Sequence, residues 1–148
     1  MDTIVRTHAG FAHGQAPVDP ALERGRGELV ALLDRYTGDL EGGRKSAVPG
    51  VVLYRIRNPN GPSYAVQTPA FAMIAQGSKR LLVGEEEYAY DPMHYMVSSV
   101  DLPVVGMVTA ASPTEPYLGM RYEFDTEEIA ALIRDENLPP IPPSDAAR

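Results

Sequence analysis

Three histidines and no cysteine leave this chain few side chains for metal or nucleophilic chemistry. A metal site needs three or four ligands converging on one point, usually imidazoles with a carboxylate. His94 is the one histidine inside the stretch that reads as strands, and no His-x-His pair with a downstream Glu and further His accompanies it. His8 and His13 stand five apart in a segment without sustained periodicity. Nucleophilic catalysis fares no better. There is no Gly-x-Ser-x-Gly elbow, and Ser98 and Ser99 have no histidine and orienting carboxylate at a usable spacing. In GDLEGGRKS, Arg44 intervenes between Gly43 and Lys45, and no strand precedes Gly38, so it is not a phosphate loop. Glu85, Glu86 and Glu87 run together at what reads as a hairpin tip, where carboxylates are normally solvated rather than paired for acid and base work. The expectation is a protein that is not an enzyme and holds neither metal nor cofactor.

What remains is softer chemistry. Met73, Met96, Met107 and Met120 each fall in a different candidate strand, with Tyr54, Tyr95, Tyr117 and Tyr122 near them in the pattern. Thioether and phenol side chains suit an adaptable pocket for an apolar or mixed small molecule, and they serve equally as core filling. Gln76 and His94 sit at strand ends, where a polar group either points into a barrel mouth or belongs to a turn. The candidate ligand contacts are therefore Tyr54, Met73, Gln76, His94, Met96, Met107, Met120 and Tyr122. Arg121 lies between Met120 and Tyr122, and strand alternation puts it on the face opposite both. That reading makes it an exterior charge, with a ligand-carboxylate clamp as the alternative.

The elements that must position these residues follow from periodicity and punctuation. Asp19 and Pro20 supply a helix cap and first-turn proline, and Leu29, Leu32, Leu33, Tyr36 and Leu40 recur at helical spacing. Gly25 and Gly27 weaken the first turns by about 1 kcal/mol each, so the well-formed part is expected from Glu28 to Tyr36, with Gly38 as the stop. GDLEGGRKSAVPG reads as a loop. From Val51 to Phe124 the apolar runs are short and rich in Val, Tyr, Ile and Leu. The strands expected there are Val51 to Arg57, Tyr64 to Gln67, Ala70 to Gln76, Lys79 to Val83, Glu87 to Tyr90, Tyr95 to Val100, Val104 to Ala110 and Tyr117 to Phe124. Turn residues such as Asn58 to Gly61, Gly77, Gly84, Pro92, Pro103 and Pro113 separate them. Strands at this spacing without intervening helices predict an antiparallel sandwich or barrel. Asp125 with Glu128 three residues on opens a last short helix, whose Ile129, Leu132 and Ile133 share a face and which Asn137 can close.

The 148 residues, 44% hydrophobic and 22% charged, suit one globular domain. A net charge of −7 is the wrong sign for gripping a phosphate backbone, so this segment is not expected to bind nucleic acid by itself. No apolar run approaches the length of a membrane span or a signal sequence, which predicts a cytoplasmic protein with no membrane partner. Residues 1–18 read as a flexible arm or edge segment, 19–138 as the folded domain, and 139–148, rich in proline, as a stiff linker to something further on.

Three strings in order, AQGSKR, YAYDPMHY and SVDLPVVG, followed by ASPTEPYLGMRYEFDTEEIAALI, resemble the N-terminal domain of AraC-type transcriptional regulators. The resemblance runs from Pro49 to about Leu132. It implies a mainly β fold, a cupin-like double-stranded β-helix or jelly-roll barrel with one N-terminal and one C-terminal helix. It also implies a domain that binds a small-molecule effector or pairs as a homodimer, with DNA bound through a C-terminal helix-turn-helix region absent from this chain. His94, Tyr95, Asp101, Leu102 and Pro103 match pattern positions without an implied role. The competing reading is a stand-alone cupin enzyme, an isomerase or metal-dependent dioxygenase.

Overall fold

The computed structural model describes residues 19–92 and 94–135. The expected arm, Asn137, His8, His13 and the proline-rich linker lie outside the described residues.

Helix α1, Pro20–Thr37, starts where the sequence says it should: the Asp19 side chain accepts from Ala21 N at 2.9 Å, and Gly38 turns the chain out with φ 50°. It extends a full two turns earlier than the expected Glu28 start. Gly25 and Gly27 are tolerated because the cap, the N1 proline and the Arg26–Glu23 pair support the first turns. Of its apolar residues only Leu33 is buried; Leu32 and Tyr36 are exposed, and Leu40 lies past the helix.

Nine strands follow among the described residues, all antiparallel where they pair. They are β1 (Gly42–Lys45), β2 (Val51–Ile56), β3 (Ser63–Gln67), β4 (Ala70–Gln76), β5 (Ser78–Val83), β6 (Glu86–Tyr90), β7 (Tyr95–Ser98), β8 (Leu102–Ala110) and β9 (Tyr117–Glu123). One sheet has the order β1-β2-β9-β4-β7 and the other β3-β8-β5-β6. Their inner faces share one core, with Ala72, Ile74 and Met96 from the first meeting Leu81, Val104 and Val108 from the second. Two sheets closed over a common core make the expected cupin-like barrel.

Strand β1 is a correction, since GGRK falls in the stretch read as a loop. It pairs along β2 with Gly43 opposite Tyr54, and a Cβ at Gly43 would stand 2.6 Å from the Tyr54 ring. The glycine that lowers strand propensity is what the neighbouring ring requires. Pro103, read as a turn, lies inside β8. It pairs with Val66 of β3, while the β5 ladder begins only at Val105, so no hydrogen bond on that side is lost. Gly77, at φ 86°, carries the chain from β4 in one sheet to β5 in the other, where a Cβ would meet the Ala110 carbonyl oxygen at 2.6 Å.

Helix α1 lies on the outer face of the five-stranded sheet, where Leu33 packs with Ala75 and Leu118 and is flanked by Leu29, Val30, Leu53 and Met120. Arg55 Nη1 ties it down through Asp34 Oδ1 at 2.6 Å. Helix α2, Thr126–Ile133, is capped by Asp125, whose Oδ1 accepts from Glu127 N at 2.8 Å. It buries no residue, and the expected apolar face is open: Leu132 and Ile133 are exposed.

Candidate functional site

Between the sheets lies a cavity of about 280 Å³. Its exposed wall residues Gly43 on β1 and Ser63 and Ala65 on β3 set the mouth between two edge strands. The walls are apolar over Ile56, Leu81, Met96, Val104 and Val108, and carry the phenols of Tyr54, Tyr90 and Tyr117. Two cationic side chains join them, Lys79 from one sheet and Arg121 from the other.

Register explains how Arg121 arrives inside. On β9 it is paired with Val52 on one side and Ala72 on the other, both buried residues, while Met120 and Tyr122 take the opposite face. The alternation read from sequence is therefore right and the choice of inner face is reversed. Its Nη2 hydrogen-bonds Glu123 Oε1, and its buried Nε has no acceptor among the described residues. The Lys79 side chain has no hydrogen-bond or ion-pair partner among the described residues, while its backbone pairs within β5's ladders. Burial, with the Arg121 charge adding to it, lowers the pKa of its ammonium below the usual lysine range.

Small residues make room for these groups. A Cβ on Gly106 would lie 2.9 Å from Lys79 Cε, and one on Gly119 would lie 3.1 Å from the Tyr117 hydroxyl. Burial pushes Tyr90 up to about 12 and Tyr117 well above the usual phenol range, so both hydroxyls stay protonated as donors at neutral pH. Tyr54 is raised by burial too, against the opposing pull of Arg121.

The sequence-derived contacts divide. Tyr54 and Met96 line the cavity and pack with its core. Met73 and Met120 touch the wall but face each other across β4 and β9 on the outer side; Met120 packs under α1, and Met73 also borders the hollow beneath that helix. Met107 pairs with Arg80 on the outer face of β8, away from the cavity. Tyr122 stacks edge-on against Phe124, ring centroids 5.7 Å apart. Gln76 donates Nε2 to the Pro116 carbonyl at 2.8 Å, outside the cavity wall. His94 Nδ1 sits 2.9 Å from Asp91 Oδ1 in the turn before β7, also outside it. Missed from sequence were Lys79 and Tyr90 as cavity residues, and Arg121 was expected outside, with the ligand clamp as its alternative. The one readable signal was Arg121 at mid-strand among apolar neighbours.

The donor set does not fit a metal. Among the described residues no three histidines or carboxylates come together, and the cavity presents two cations where a metal would need anionic or neutral ligands. Ser98, buried, donates Oγ to the Thr68 carbonyl at 3.0 Å, as a structural serine does. Glu86 and Glu87 are exposed next to the β5–β6 turn, with Glu87 3.4 Å from Arg80. No helix among the described residues is long and apolar enough to cross a membrane.

Comparison with known proteins adds to this geometry. The family described as the AraC-type transcriptional regulator N-terminus matches residues 47–148. No curated protein sequence matches the chain. A solved cupin-2 domain containing protein from Shewanella frigidimarina is similar at 9% identity and a TM-score of 0.41, over 63% of this chain and 92% of that one.

Proposed function

The chain belongs to the family of AraC-type transcriptional regulator N-termini, and from that premise we propose that it is a regulatory domain that senses a small molecule inside its barrel. The observation that carries this reading is the cavity between the sheets, walled by apolar and phenolic side chains with two cations among them. Apolar walls with a few convergent polar groups are the usual form of a small-molecule site. No reaction is assigned to it, because among the described residues the cavity wall brings together no nucleophile with a base and no metal donor set.

Strand β9 is the physical link in the proposed mechanism. Its Tyr117 and Arg121 face the cavity, its Leu118 and Met120 pack under α1, and its end runs through Asp125 into α2. An effector that binds one arrangement of β9 and the helices more tightly shifts the population toward it. DNA is bound, in this reading, by helix-turn-helix segments of the regulator that receive the shift through α2. Pairing of two copies is a second element of the proposal, supported by edge strand β3, where Tyr64 is 82% exposed and Val66 64%. Sedimentation of the wild type and of Tyr64→Asp tests it: dimers lost in the variant support it, and a monomeric wild type removes it.

The sensing role is tested by filling the cavity. Val104→Phe adds a ring to the cavity wall. Compounds that raise the Tm of the wild type are expected to lose that effect in the variant, and transcription from the regulator's promoter to stop responding to them. Compounds that shift both proteins equally, or a variant that responds as the wild type does, overturn the reading.

A further inference from the structure

We propose that the cavity is selective for a small monocarboxylate with an apolar or aromatic body, its carboxylate held between Lys79 and Arg121. This rests on the sensing role above and names the ligand class.

Charge is the first argument. Among the described residues the cavity wall brings together the ammonium of Lys79 and the guanidinium of Arg121, and one carboxylate, Glu123, stands beside it and already engages Arg121. One positive charge is left over, and it belongs to a lysine side chain with no partner among the described residues. A half-buried cation is costly unless an anion meets it, so one negative charge completes the site. A neutral sugar would leave that charge unmet, and a dianionic phosphate ester would exceed it.

Geometry is the second. Lys79 and Arg121 come from opposite sheets, so an anion between them ties the sheets together. Arg121 keeps donors beyond the Nη2 that serves Glu123, and a planar carboxylate suits a guanidinium fork beside an ammonium. The rest of the wall suits the body of such an acid: Leu81, Met96, Val104 and Val108 are apolar, and the Tyr54 and Tyr90 rings are flat surfaces. At about 280 Å³ the space admits one ring or a short chain.

The test uses the full chain and matched pairs of probes: benzoate with benzamide, and cyclohexanecarboxylate with its amide. Glucose and inorganic phosphate serve as the neutral and dianionic comparators. Calorimetry at neutral pH is expected to find a carboxylate binding about ten-fold or more tightly than its amide. Lys79→Met should remove that preference while keeping the Tm, since it deletes a poorly solvated charge and conserves the stem. Lys79→Arg should restore part of it. Equal affinity for acid and amide, an acid preference that survives in Lys79→Met, or no carboxylate binding at millimolar concentration overturns the inference. Tight binding of glucose that Val104→Phe abolishes would overturn the carboxylate assignment and leave the sensing role standing.

Discussion

Gly106 and Lys79 share one space: a Cβ on the glycine would sit 2.9 Å from the lysine Cε and 3.3 Å from its Nζ. The amine reaches the cavity only because β8 offers no side chain there. Gly106→Ala is therefore expected to push the ammonium aside, because the far end of a lysine moves more easily than a backbone does. Stability should change by less than about 1 kcal/mol, while binding of a benzoate probe weakens several-fold. Denaturant unfolding and calorimetry on the same sample check both parts.

A glycine with backbone on every side behaves differently. Gly77 combines a positive φ with an approach of 2.6 Å between its Cβ position and the Ala110 carbonyl oxygen, and 3.0 Å to the Tyr117 Cα. Gly77→Ala is expected to cost about 2 to 4 kcal/mol, since neither neighbour can rotate away. A urea midpoint unchanged from the wild type would contradict this account of the sheet crossing.

The attachment of α1 depends on one leucine more than on its ion pair. Leu33 is 3% exposed against Ala75 and Leu118, whereas the Asp34 partner of Arg55 is 60% exposed and screened by solvent. Leu33→Ala should destabilise the fold by about 2 to 4 kcal/mol, and Asp34→Asn by less than about 1 kcal/mol. Hydrogen exchange should show α1 amides losing protection in the first variant and keeping it in the second.

Alkaline stability follows from the buried phenols. Tyr90 stays protonated to about 12 in the fold and ionises near 10 when unfolded, so below pH 10 the two states hold the same proton. Between pH 10 and 12 the unfolded chain sheds it first, and stability falls by about 3 kcal/mol. Tyr117, raised by burial and by Tyr90, acts in the same direction. Lys79, lowered by burial, acts oppositely, adding stability as pH rises toward 10.5. Tyr90→Phe should flatten the fall above pH 10, which a pH series of urea midpoints would read out.

Local chemistry written in the sequence carried through wherever the deciding atoms are neighbours in the chain. Asp19, Pro20 and Gly38 bound α1, Asp125 caps α2, and most of the strands between Val51 and Glu123 are legible from their short β-rich runs and turn residues. The alternation of Met120, Arg121 and Tyr122 was legible too. Period two separates two faces and cannot say which one is inside, and only the pairing of Arg121 with Val52 and Ala72 decides that. Hydrophobicity pointed to the methionines, yet Met107 and Met120 pack outside and Lys79 enters the barrel, because Gly106 leaves room beside a lysine stem that packs as a hydrocarbon. Strand β1 has the same cause: GGRK joins the sheet because Tyr54 needs Gly43 beside it, a requirement set by a residue eleven positions away. Caps, turns and strand lengths are properties of adjacent residues; the identity of the inner face, and the charge placed on it, arise only when distant strands meet.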